Sequence, residues 1–460
     1  MVWLAGFAKP LSRLGLCRYE EWHKGEKLKL LLVGYNGARN TGADARVVAL
    51  VRQLEEALGT DNVELTVMTL DRDNTQGYFP QHVRQFPFTT VFFWSLLRIA
   101  SQSHAAILCE GSTLTTTFAE ALSVFFCEAA GIMRRQHKPC IAYGSEVGRL
   151  EGWLNKLSRD LCRDTYFIVR TEKSLQNLQA LGLKGHVGTD TAWPFLSEKG
   201  QAGESSEAGL SEKLQAGESS EAREYSQWAL RQLQNDGWDG RKPLVGVAVL
   251  NPFCWPVRPS LWRWGKAVFT GDHSGQYDKM YFFSDSPERR QQFRRYLSEM
   301  VGAVRRYALD HDAFLVVIGM EKLDAEACRQ FAEQVAVPYA MYDSARYDVF
   351  QMTALLRQVS VLVTSRYHAA VLSMARAIPL VAVSIDDRLD GVIREAGLAD
   401  HFLHRSTNSA LGDRISESLH LIDEHREEVA ETIRRQQVAS EQKVQEMSQF
   451  FVEWLNRHFS

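Results

Sequence analysis

Short apolar runs alternate with amphipathic stretches along most of the chain, the pattern of parallel sheets wrapped by helices. LKLLLVGY (28–35) is the first run, and a polar, glycine-marked stretch, NGARNTGADA, follows it. In ARVVALVRQLEEALG (45–59), Val48, Leu50, Val51, Leu54 and Leu58 recur at helical spacing, with Gly59 placed as a C-cap. VELTVMTL (63–70) is a second strand, completing a strand–loop–helix–strand unit. The rhythm continues with AAILCEG (105–111), a long helix to about 135, PCIAYGSE (139–146) and a helix near 151–164. It closes with TYFIVR (165–170), a helix at 172–181 and the short strand GHVGTD.

Between 196 and 223 the pattern breaks. LSEKGQAGESSEAG (196–209) and LSEKLQAGESSEAR (210–223) form a tandem repeat, and their few apolar residues predict a solvated, disordered insert. The α/β rhythm then restarts. Strands are predicted at KPLVGVAVL (242–250), AFLVVIGM (313–320), VSVLVTS (359–365) and IPLVAVSI (378–385), with helices at 287–308, 324–336, 347–357 and 366–377. The tail 411–458 is helical and too polar for a core helix, so it is expected to strap across the two halves. The predicted architecture is α/β, with two Rossmann-like domains whose parallel sheets face a central cleft and a long C-terminal helix. Its segments are an N-terminal extension (1–27), a first α/β domain (28–195), the disordered insert and linker (196–240), a second α/β domain (241–408) and the strap (409–460). Ligands of such sheets sit outside the carboxyl ends of the strands, so the cleft is the expected site.

Composition narrows the classes. With 53 Lys+Arg against 56 Asp+Glu the net charge is −3, which excludes a protein acting mainly as a polycation on nucleic acid. Seven cysteines without a CxxC pair or zinc-ligand spacing predict neither a disulfide scaffold nor a bound metal, and point to a reducing cytoplasm. No apolar run spans a bilayer, and VWLAGFA (2–8) lacks the basic flank of a signal peptide.

The densest candidate chemistry lies in VTSRYHAAVL (363–372). A buried strand ends at Thr364–Ser365 and a helix follows, with Ser365 expected as its N-cap. Arg366, Tyr367 and His368 then fall in the first turn, where free N–H groups and an arginine fork suit an anion and a histidine can move a proton. An arginine paired to an acid beside a packing histidine is the other reading of these residues.

In order and spacing, these segments resemble the polysaccharide pyruvyl transferases from about residue 28 to 405, the repeat excepted. The resemblance is carried by SRYHAAVLSMARAIPLVAVSIDDRLDGVIREAGL (365–398), by VGYNGARNTGADA after the first strand, by FIVRTEKSLQNLQALGL (167–183) and by TDTAWPF (189–195). It implies a fold like that of GT-B glycosyltransferases, with the acceptor on the first domain and the donor on the second. The implied reaction moves the enolpyruvyl unit of phosphoenolpyruvate, a donor substrate needing no cofactor, onto a sugar as a pyruvate ketal. Arg366 and Arg170 match the family's anion-binding arginines, and His368 its essential histidine, cast here as a general acid. Asn40, Asp44, Glu110, Ser112, Ser365 and Arg258 are the expected substrate contacts.

Some positions depart from the family pattern. Cys109-Glu110-Gly111-Ser112 replaces a glycine triplet, so Glu110 either meets acceptor hydroxyls or caps a helix. Arg388 stands where lysine is common. Asp71-Arg72-Asp73 is a D-x-D at a strand end, read either as a metal–nucleotide ligand or as an ordinary sheet edge. NPFCWPVRPSLWRW (251–264) sets three tryptophans beside Arg258 and Arg263, read as a sugar platform or as loop packing. TVFFWSLLRIA (90–100) reads as a core helix or as a peripheral contact with the inner face of a membrane carrying a lipid-linked acceptor. Two rival functions remain open, a GT-B glycosyltransferase using a nucleotide sugar and a non-catalytic binding subunit.

Overall fold

The computed structural model describes residues 21–88, 92–117, 119–150, 152–196, 220–273, 275–278 and 280–460. In the first half β1 (Leu28–Val33), α1 (Thr41–Leu58), β2 (Val63–Thr69) and β3 (Arg84–Pro87) are followed by α2 (Phe93–Ser101), β4 (Ala105–Leu108) and α3 (Glu120–Arg135). β5 (Cys140–Ser145), α4 (Trp153–Cys162), β6 (Tyr166–Val169), α5 (Glu172–Ala180) and β7 (Lys184–Val187) complete it. The strands pair in the order β3-β2-β1-β4-β5-β6-β7, every pair parallel. The strand order reverses between β1 and β4, and the loops leaving those two strands are where a ligand site is built in such sheets.

The second half opens with α6 (Ser220–Asn235) and β8 (Leu244–Ala248). A small antiparallel sheet then interrupts it, made of β9 (Arg258–Pro259), β10 (Gln276–Asp278) and β11 (Tyr281–Phe282), with α7 (Leu261–Thr270) between β9 and β10. α8 (Pro287–Asp310), β12 (Phe314–Gly319), α9 (Ala325–Val335), β13 (Tyr339–Asp343), α10 (Val349–Leu356) and β14 (Val361–Thr364) follow. After them come α11 (Tyr367–Met374), β15 (Leu380–Ser384), α12 (Asp387–Glu395), α13 (Ala399–Phe402) and β16 (Leu403–Arg405). The parallel order is β13-β12-β8-β14-β15-β16, with its reversal between β8 and β14. The two facing Rossmann-like sheets expected from the hydrophobic pattern are therefore present.

Two differences stand out. Residues 220–235, expected within a disordered linker, form α6, and Ala222, Ala229 and Leu233 bury its one narrow apolar stripe. Most of the repeat, 197–219, lies outside the described residues, as do residues 1–20 of the N-terminal extension. The C-terminal strap is two helices, α14 (Leu411–Glu424) and α15 (Arg426–His458). Val429, Ile433 and Val444 join the core of the second domain, whereas Met447, Phe451, Trp454 and Leu455 pack beneath the first sheet. A polar helix with this apolar stripe ties both domains together, as the spacing of its apolar residues predicts.

The halves are fixed to one another at the cleft. Thr41 N–H donates to Met320 O (2.9 Å), Lys322 N–H to Arg39 O (3.1 Å), and the Ser344 hydroxyl to Arg39 O (2.7 Å). The loop after β1 is thereby stitched to the loops after β12 and β13, so the carboxyl edges of the two sheets are held in one register.

Candidate active site between the two sheets

A cavity of about 460 Å³ opens where the carboxyl ends of the two sheets meet. Its two ends differ. Glu110, Ser112, Glu321, Arg366, His368, Asp386 and Arg388 form a polar end, while Phe88, Phe92, Phe93, Leu122, Val124 and Phe125 form an apolar end in the first domain. Tyr35, from the loop after β1, meets Tyr277 of the small sheet on the cavity wall, with hydroxyls 3.0 Å apart.

His368 sits in the first turn of α11 and faces the N-terminus of α1. A Cβ added to Gly42 would lie 1.9 Å from His368 Nδ1, so the close approach of this helix end requires glycine. Asn40 N-caps α1, its Oδ1 accepting from Ala43 N–H (3.1 Å), and lines the cavity beside it. Gly42→Ala is expected to push the imidazole aside and to cost about 1–3 kcal/mol. Urea unfolding checks the stability, and an unchanged midpoint with unchanged activity would contradict the contact.

Behind His368 lies a fully buried charge cluster. Asp190 Oδ2 is 3.6 Å from His368 Nε2, 3.3 Å from Arg46 Nη1 and 2.7 Å from Arg170 Nη1. Burial alone would raise the Asp190 carboxyl, but Arg46, His368 and Arg170 together hold it well below its usual range. The His368 pKa is also lowered, but by a different cause. Its burial lowers the imidazole pKa from 6.5 despite Asp190, so the ring is neutral at pH 7. Arg46 reaches this cluster past Gly111, where a Cβ would lie 2.4 Å from its Nη1. That explains why a glycine survives within the altered Cys109–Ser112 segment.

Arg170 does not line the cavity. It is 3% exposed, donates to Asp190 and to Glu146 Oε2 (2.7 Å), and lies 4.4 Å from the Tyr367 ring centroid. Tyr367, not Arg170, forms the wall there. Arg170 is thus placed to support Tyr367 and Asp190 rather than to touch a ligand. The cationic groups that reach the cavity are Arg366 and Arg388. Arg366 pairs with Glu321 (3.1 Å) and with Asp324. Arg388 pairs with Asp386, lies 3.6 Å from Glu146, and donates to the Ser112 hydroxyl (3.2 Å) across the domain boundary.

The remaining expected contacts divide. Glu110 lines the cavity and accepts from Tyr35 N–H and Ser112 N–H (3.3 Å each), so it joins two loops and caps no helix. Ser365 also lines it, but Arg366 is the N-cap of α11. The Thr364 hydroxyl accepts from Arg366 N–H, and the Ser365 hydroxyl pairs with Tyr296 (2.8 Å). Asp44 is buried outside the cavity, accepts from Gly37 N–H (2.8 Å), and burial pushes it up to about 7. Arg258 is exposed on β9 and outside the lining, as are Trp262 and Trp264. Of that tryptophan-rich segment only Trp255 reaches the cavity wall. Asp71 and Asp73 are exposed, and Asp71 accepts from Asp73 N–H in a local turn. Of the 90–100 segment, Leu96, Ile99 and Ala100 are core residues of α2, while residues 90 and 91 lie outside the described set.

Glu321, Asp386, Arg388 and Asp190 are site residues beyond those expected from the sequence. Asp386, Arg388 and Asp190 stand inside the segments that carry the resemblance, so position gives a signal. Glu321 gave none, because its partner Arg366 is far along the chain.

Two parallel sheets facing a shared cleft, with the polar cavity residues carried at or near the strands' carboxyl ends, define a GT-B-like fold. The chain belongs to the polysaccharide pyruvyl transferase family, whose description matches residues 40–387. Among solved structures it is similar to UDP-GlcNAc 2-epimerase from Neisseria meningitidis bound to UDP-GlcNAc, with 11% identity, 94% of this chain and 100% of that chain covered, and TM-score 0.55. It is also similar to Anabaena HepE in complex with UDP-glucose, at 13% identity, 94% and 100% coverage, and TM-score 0.53. These likenesses establish the fold. No curated protein sequence matches significantly. No helix among the described residues is long and apolar enough to cross a membrane.

Proposed function

We propose that the protein transfers the pyruvyl group of phosphoenolpyruvate to two hydroxyls of a cell-surface glycan or its lipid-linked precursor. The observation that carries this is the convergence of Arg366, Arg388 and His368 at one end of one cavity, in a chain of this family. Arg366 and Arg388 receive the donor's carboxylate and phosphate, and Glu110 and Asn40 face the acceptor. Neutral His368 first takes the proton of an acceptor hydroxyl as its oxygen bonds to the enol carbon. It returns that proton to the methylene carbon, which becomes the methyl group. The second hydroxyl then bonds to the same carbon, the carbon–oxygen bond to phosphate breaks, and the second proton leaves with phosphate. Arg170 and Asp190 position the histidine and touch no substrate.

Charge balance supports a second reading. Arg46, Arg170, Arg366 and Arg388 are paired with Glu146, Asp190, Glu321, Asp324 and Asp386, and Glu110 adds a further carboxylate to the cavity wall. A trianionic donor must compete with carboxylates already seated on both cavity arginines, whereas the ribose and sugar hydroxyls of a nucleotide sugar suit acidic walls. Incubating the enzyme with phosphoenolpyruvate and the glycans of its source cells tests the choice. A new ketal methyl resonance with release of phosphate supports pyruvyl transfer; glycosyl transfer from a nucleotide sugar without it overturns that reading.

Burial raises the Asp324 carboxyl to about 6, against the pull of Arg366. Neutralising it frees Arg366 for an anion. Asp324→Asn is expected to tighten phosphoenolpyruvate binding at pH 7.5 by about tenfold, the weight of one pKa unit. Calorimetric titration checks it, and unchanged or weaker binding would show that Asp324 does not compete with the donor.

A further inference from the structure

Helix α7 does not behave as a helix of a soluble core. Ala267 is its one buried residue, while Trp262 is 83% and Phe269 92% exposed. Leu261, Val268 and Trp264 are exposed beside them. At about 100° per residue these five side chains share one arc of about 160°, with Gly265 inside it. Lys266 borders that arc, and the exposed Arg258 precedes the helix. Arg263 lies on the inner side, its guanidinium 4.3 Å from the Phe282 ring centroid, and anchors the helix to its small sheet. No acid occurs between residues 258 and 270.

We propose that this face docks the enzyme on the surface of an anionic lipid bilayer. Several of its features point to that occupant. Tryptophan and phenylalanine with basic neighbours are the residues that settle at a headgroup boundary, and bases without acids match anionic lipid. A second copy of the chain is the poorer fit. Across a two-fold axis Arg258 and Lys266 would meet their own kind, with no acid on the helix to answer them. The surface is also continuous with the active cleft. The small sheet that holds α7 supplies Tyr277, Met280 and Tyr281 to the cavity wall, so docking sets that wall of the cavity near the lipid. The inference concerns the surface alone and stands whichever donor the cavity takes.

The test is co-sedimentation of the full-length protein with phosphatidylcholine vesicles, with and without phosphatidylglycerol. The wild type is expected to pellet with the anionic vesicles and to be released by salt. W262S/F269S should lower the partition coefficient by about tenfold or more. K266A should lower it by about fivefold on anionic vesicles and little on neutral ones. Because these side chains are exposed, the variants should melt with the wild type. Failure of the wild type to pellet, equal pelleting of the variants, or a wild-type dimer that W262S/F269S dissociates would each overturn the proposal.

Discussion

Replacing Asp190 with asparagine is expected to destabilise the protein by about 3–5 kcal/mol and to remove most activity. Asp190 is the shared counter-charge of Arg46 and Arg170, and the side chains of all three are almost wholly withdrawn from water. An amide of the same shape leaves two guanidinium groups facing each other, with only Glu146 left as a carboxylate on Arg170. The loss of activity follows from geometry, since His368 Nε2 faces the same carboxylate oxygen. The pH dependence has a definite sign. The folded Asp190 carboxyl titrates well below its ordinary 3.8, so its contribution is complete above that value and is lost only as pH falls through the depressed one. Urea unfolding of both proteins at pH 7 and pH 5 should give a difference of similar size. A midpoint shift under about 1 kcal/mol would mean the cluster is not the anchor described here.

His368→Gln is expected to lower kcat by about 10²–10⁴, the usual weight of a positioned acid–base group, while leaving donor affinity nearly unchanged. Glutamine fills much of the space against Gly42 and can still meet Asp190, so the fold should survive. Burial holds the imidazole below 6.5, and only its neutral form can take the acceptor proton. The acid limb of the wild-type profile should therefore fall below pH 6.5 and should be absent from the variant. An unchanged kcat would show that another group moves the acceptor proton, and absence of turnover in the wild type as well would support a binding subunit over a catalyst.

The sequence shows its sheets because both faces of each central strand are covered, which leaves near-continuous apolar runs such as LVGVA and FLVVIG. Arg366 and His368 are legible for a related reason, since charged residues directly after such a run must lie at a strand's carboxyl end. What the pattern cannot carry is pairing. Arg366 meets Glu321 and Asp324, and Arg388 meets Ser112, through tertiary contacts between distant segments. Arg170 illustrates the consequence. Its place at the end of β6 suits an anion, yet Glu146, Asp190 and the Tyr367 ring enclose it. Helix α6 is not legible because its buried residues, Ala222, Ala229 and Leu233, make a stripe too thin to register beside a polar repeat. The tryptophans of 251–264 allow a sugar platform or loop packing, and the fold divides them, with Trp255 on the cavity wall and Trp262 and Trp264 exposed on α7.

The central claim is that the polar end of the cavity, Arg366 foremost, holds phosphoenolpyruvate. Its most direct test is calorimetric titration of the purified protein with phosphoenolpyruvate, beside UDP-glucose and UDP-GlcNAc, repeated with Arg366→Ala. Saturable binding of phosphoenolpyruvate, lost in the variant and not matched by either nucleotide sugar, is the result predicted. Binding of a nucleotide sugar with none of phosphoenolpyruvate would contradict it and leave a GT-B-like enzyme with a different donor.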